Sequence, residues 1–155
     1  AGGQDVNLMK VRGLVFDPHT NMYIVILNDE ENKDVLPIWI GKFEANAICF
    51  ILEGITPPRP MTHDLTKSIL DTLDIKIISI VINNLKDNTY YAKIHLSSQG
   101  SEVVIDSRPS DAIALALRSS APIFVSEDVL EKRNAENLDQ WLKNLKPEDF
   151  GKYLS

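Results

Sequence analysis

β-Branched and other apolar residues dominate two short runs, Val11–Asp17 and Met22–Asn28, and this pattern predicts a pair of strands. Between them, Asp17-Pro18-His19-Thr20-Asn21 supplies the proline and asparagine that tight turns use, so the pair is expected to be a hairpin. After the polar loop Asp29–Lys33, Val35–Ile40 reads as a third strand, and its internal Pro37 places it at a sheet edge or a bulge. Further along, Ile75–Leu85 and Thr89–Ser97 are β-branched or aromatic runs joined by Lys86-Asp87-Asn88, followed by Glu102–Asp106. An antiparallel meander is expected there. Pro122–Val125 predicts a short final strand.

Helical spacing fills the intervals. Lys42–Glu53 predicts a helix burying Phe43, Ala47, Ile48, Ile51 and Leu52, with Gly41 as N-cap and Gly54 as stop. Pro57-Pro58-Arg59-Pro60 cannot be helical, because each proline fixes φ and constrains its predecessor. Thr62 is expected to cap a second helix with a buried stripe of Leu65, Ile69, Leu70 and Leu73, ending near Asp74. Pro109 opens a third, Ser110–Ser119, whose run Ala112–Leu117 is apolar on most sides, so it should be central or covered by a partner subunit. Ser126 caps a helix over Ser126–Lys132, and the more polar segment 134–155 is expected to hold one or two short helices.

These elements predict an α+β fold, a mostly antiparallel sheet packed with three main helices plus a short helical C-terminal tail. At 155 residues with 44% apolar composition, one hydrophobic core is expected. The domain is placed at 9–133 and the extension at 134–155, with 1–8 read as a segment outside the fold, left over from expression. A net charge of -6 removes whole-surface attraction for nucleic acid, so any such site must be local. No run suits a bilayer span, and the lone Cys49 in an apolar stretch reads as a buried thiol, which together point to a cytoplasmic protein without a membrane partner.

Chemistry-bearing side chains gather at three helix entrances: Glu44 at the first, His63 and Asp64 at the second, and Asp106, Arg108 and Asp111 around the third. Free N–H groups and the helix dipole favour anions at such places. Each residue also has a plainer role. Capping preferences alone would put Glu44 and Asp111 there, Asp106 suits a turn, and Arg108 could close an ion pair with Asp106 or Asp111. Phosphate-cradling glycine loops, nucleophile elbows, His-Glu-x-x-His and paired cysteines are all absent from the sequence.

Five ordered blocks carry a resemblance: Pro37-Ile38-Trp39-Ile40-Gly41 with Glu44-Ala45, Pro58–Leu65, Leu85–Thr89, Ile105–Ala112, and Ala121–Val125. Together they resemble the bifunctional nuclease domain family over about residues 9 to 130. The resemblance implies a compact α+β domain, often found alone in bacteria, and a nuclease acting on DNA and RNA. Residue roles come from the chemistry of the side chains. Asp64, Asp106 and Asp111 offer hard oxygens to Mg²⁺ or Mn²⁺, His63 acts as general base or acid with Glu44 nearby, and Arg59, Lys86 and Arg108 hold the phosphate. The alternative is a non-catalytic, homo-oligomeric binding or regulatory module in which the same residues form capping and ion-pair contacts.

Overall fold

The computed structural model describes residues 5–31 and 33–134. The chain runs β1 (Val6–Asp17), β2 (Met22–Asn28), β3 (Val35–Ile40), α1 (Lys42–Leu52), α2 (Thr62–Thr72), β4 (Ile75–Lys86), β5 (Thr89–Ser98), β6 (Ser101–Ser107), α3 (Pro109–Ser119), β7 (Ile123–Ser126) and α4 (Glu127–Asn134). These strands form one seven-stranded sheet in the order β3-β2-β1-β7-β4-β5-β6. All neighbours are antiparallel except β4 and β7. The α+β expectation therefore holds, as do the hairpin, the meander and the edge position of the proline-bearing β3.

β7 was the unreadable join. Its four residues pair antiparallel with Val6–Met9 and parallel with Ile80–Ile82, welding hairpin to meander. The first strand therefore begins at Val6, and Val6–Leu8, set aside as lying outside the fold, are part of the sheet. From Lys10 onward the same strand pairs with β2, with a register shift between Val11 and Gly13.

The main core lies where α3 meets the sheet. Ala112, Ile113, Ala114, Leu115 and Ala116 are all buried and pack with Val25, Leu27, Ile80, Ile82, Ile94 and Val125. Small side chains at 112, 114 and 116 bring this helix close to its neighbours, and α1 packs against it through Ala45, Ile48 and Cys49. Burial pushes the Cys49 thiol up to about 11, with Glu53 adding to the shift, so it is an inert core group.

Two helix faces differ from expectation. α1 buries Ala45, Ile48 and Cys49 rather than the broader predicted stripe, and Phe43 is 81% exposed. α2 has no buried residue: Leu65, Ile69 and Leu73 are 54%, 50% and 63% exposed, and only Leu70 turns toward the core. Its polar side chains make the contacts with α3 instead. Thr62 is its first helical residue and Met61 the N-cap. The expected helices in 135–155 lie outside the described residues. Among the described residues, no helix is long and apolar enough to cross a membrane.

Candidate functional site

α3 starts where the sequence dictates. Arg108 is held extended by the following proline, and Pro109 occupies the first helical position, where no N–H is needed. Asp111 then falls in the first turn, aimed at the entrance of α2. There His63 Nε2 lies 2.8 Å from Asp111 Oδ1. An ionised carboxylate only accepts, so Nε2 carries a proton, and in the neutral ring the lone pair is then on Nδ1. Nδ1 has no hydrogen-bond partner among the described residues.

The guanidinium of Arg108 closes on the same carboxylate, with Nε 2.8 Å from Oδ2 and one terminal nitrogen 3.1 Å from Oδ1. Its other terminal nitrogen stands 3.7 Å from Glu44 Oε2. Burial works against ionisation of Asp111, but hydrogen bonds from Arg108 and His63 outweigh it and hold the carboxyl below its usual range. Asp111 with Glu44 in turn raises the already high Arg108 value.

His63, Asp106, Arg108 and Asp111 line one open cavity of about 690 Å³ between α2, α3 and the β5–β6 pair, floored by Leu70, Ile94, Leu96 and Leu115. Asp106 is exposed on β6 and makes no ion pair with Arg108. Arg108 and Glu44 also line a second cavity of about 320 Å³, walled by Trp39, Asn88, Thr89 and Tyr90. Four of the expected residues thus converge directly, and Glu44 joins through Arg108.

Asp64 does not join them. Its Oδ1 accepts from Arg118 Nε at 2.7 Å and its Oδ2 from the Met61 backbone N–H at 3.0 Å. Arg118, only 7% exposed at its side chain, is anchored further on the Ala114 carbonyl. Those contacts, Arg118 first and the Met61 amide second, hold the Asp64 carboxyl below its usual range. Asp64 and Arg59 line a separate cavity of about 310 Å³, and Lys86 lines none of these three. Among the described residues no three His, Cys, Asp or Glu side chains form a group that could hold a metal ion. The expected Asp64–Asp106–Asp111 cation site is corrected accordingly: capping geometry and Arg118 take Asp64, while Arg108 and His63 take Asp111. As placed, Asp64, Asp106 and Asp111 do not come together as a three-carboxylate group for Mg²⁺ or Mn²⁺.

Arg118 escaped the sequence reading. Its signal was available, because Asp111 and Arg118 stand two turns apart on α3 and therefore share a face, opposite the consecutive His63 and Asp64. The clamp between α2 and α3 is this pair of polar contacts.

Comparison with known proteins identifies the family. Residues 25–137 match the bifunctional nuclease domain. An uncharacterised protein of Mycobacterium tuberculosis is 30% identical over 92% of this chain and 96% of its own length. Bifunctional nuclease 1 of Oryza sativa subsp. indica is 28% identical, and bifunctional nuclease 2 of Arabidopsis thaliana 25% identical, each over 72% of this chain but 34% of the plant protein. The match with the plant proteins is thus confined to about a third of their length. With the matched segment spanning most of the chain and containing Glu44, His63, Asp106, Arg108 and Asp111, this protein belongs to the bifunctional nuclease domain family.

Proposed function

We propose that the chain hydrolyses phosphodiester bonds of nucleic acid at the large cavity between α2 and α3. The observation carrying this reading is the His63–Asp111 contact of 2.8 Å beside the Arg108 guanidinium at the rim of an open cavity. Asp111 fixes the ring orientation and leaves Nδ1 as the base. Nδ1 takes a proton from water as its oxygen attacks phosphorus. The P–O ester bond breaks, and the proton passes to the departing oxygen. Donors of Arg108 not engaged with Asp111 face the charge that grows on the phosphoryl oxygens. Membership of a family that includes plant proteins named bifunctional nucleases supports nucleic acid as substrate.

No step of this chemistry runs through a metal ion. Purified protein is expected to cleave a labelled oligonucleotide, and His63→Ala to reduce the rate by roughly 10²-fold or more, the usual scale of a lost general base. Assays with and without EDTA read any requirement for Mg²⁺ or Mn²⁺. Undiminished cleavage by the His63→Ala protein would reject the reading.

A second reading, a non-catalytic module, is favoured by a specific observation: Asp64 and Asp111 are each closed on an arginine, and Asp64 also on a helix-entrance N–H. In that case the polar residues fix how α2 and α3 meet. Self-association belongs to either reading and is supported by the exposed apolar stripe Met61, Leu65, Ile69 and Leu73.

A further inference from the structure

Arg108 lines both the large and the small cavity, which places a guanidinium at the divide between two recesses. Their volumes, about 690 and 320 Å³, fall in the range of roughly 300–1,000 Å³ typical of small-molecule sites. Their linings differ. The larger has an aliphatic floor, Leu70, Ile94, Leu96 and Leu115, and a carboxylate, Asp106, at its polar side. Asp106 makes no side-chain hydrogen bond among the described residues, so it is available to accept from an exocyclic amine. The smaller is lined by Tyr90, an aromatic residue of the kind on which bases stack, beside the polar Asn88 and Thr89; Trp39 also borders it, with its indole packed on Val15, Ile24 and Ile26 and donating to Asp17. In a dinucleotide, a phosphodiester likewise stands between two nucleosides of mixed apolar and polar character.

We propose that the chain binds two consecutive nucleosides of one strand, one in each cavity, with the linking phosphate against Arg108. This rests on the phosphodiester reading for the identity of the bridging group. It adds a subsite, the recess beside Tyr90, that lies outside the His63–Asp111 pair. The recess suits a base rather than phosphate alone, because Tyr90 and the neutral polar groups of Asn88 and Thr89 stand there beside a carboxylate, Glu44.

Calorimetry with a deoxyadenosine dinucleotide joined by a cleavage-resistant phosphorothioate tests this, with deoxyadenosine 5′-phosphate as comparison and adenosine counterparts to separate DNA from RNA. At least one dinucleotide is expected to bind about tenfold or more tightly than its mononucleotide, a modest gain for linking two contacts. Thr89→Trp, which fills the small cavity, and Thr66→Trp, which fills the large one, should each remove that gain. Equal affinity of both dinucleotides and their mononucleotides would overturn the proposal, and this comparison needs no variant. Retained preference in either variant, with its melting temperature unchanged, would overturn it as well. Cleavage is scored separately. Tight dinucleotide binding without cleavage keeps the two-cavity site and rejects the hydrolase, whereas cleavage without dinucleotide preference keeps the hydrolase and rejects the site.

Discussion

Asp64 and Asp111 carry the same charge at neighbouring helix entrances, yet their partners assign them different work. Asp64 is locked by a nearly buried arginine and a backbone amide, so Asp64→Asn should cost roughly 1.5–3 kcal/mol, the worth of hydrogen bonds to a charged group. Chemical denaturation checks this value. Both carboxyls sit below the usual value of 3.8 in the folded chain. Protons therefore bind the unfolded state first, and the stability these groups supply is complete above that value and lost as pH falls through the lower folded ones. Acid titration should show Asp64→Asn less sensitive than wild type below about pH 4. Gly41 bears on the site too. A Cβ there would overlap the Glu44 carboxylate, whose flexible chain would yield by leaving Arg108. Gly41→Ala and Glu44→Gln should both lower the KM for an oligonucleotide, since each frees a guanidinium that Glu44 now shares; an unchanged KM in either would count against Arg108 as the phosphate anchor.

At the scale of elements, α2 is the informative departure. Its i, i+4, i+8 apolar positions Leu65, Ile69 and Leu73 look like a core stripe, but α3 is met by His63 and Asp64 from the adjoining face. Leu65→Glu with Ile69→Glu should consequently alter protomer stability by no more than about 0.5 kcal/mol per site, as for ordinary surface positions. Sedimentation of the same variant against wild type reads whether a second copy covers the stripe. α3 was legible as a helix opened by Pro109, and of the two places its apolar run Ala112–Leu117 allowed, the centre or a partner interface, the structure shows the centre. The hairpin and meander were legible from turn chemistry at Asp17–Asn21 and Lys86–Asn88. Tyr90 and Tyr91 followed strand alternation, the first packing toward the core and the second exposed. The union of hairpin and meander was not legible, since four-residue β7 gives no sign of its two partners. Neither were the cavities, because pocket walls such as Trp39 with Thr89 are assembled from distant strands that local pattern does not relate.

For the whole molecule, the sheet brings the β6 end, the α3 entrance and the α2 entrance to one open cavity while the chain keeps a net charge of -6. Carboxylates outnumber cations at this place, with Asp106, Asp111 and Glu44 set around the Arg108 guanidinium. Attraction for a strand must then come from the cavities and the specific donors rather than from a broad basic field. The central claim is that His63 and Asp111 act as one unit on a phosphodiester. A double-mutant comparison tests it most directly: kcat/KM for a labelled oligonucleotide in wild type, His63→Ala, Asp111→Asn and the double variant. Groups that act together are grossly non-additive, so the double variant should be about as slow as His63→Ala alone. Losses that multiply, or activity that survives in all three variants, would contradict the account.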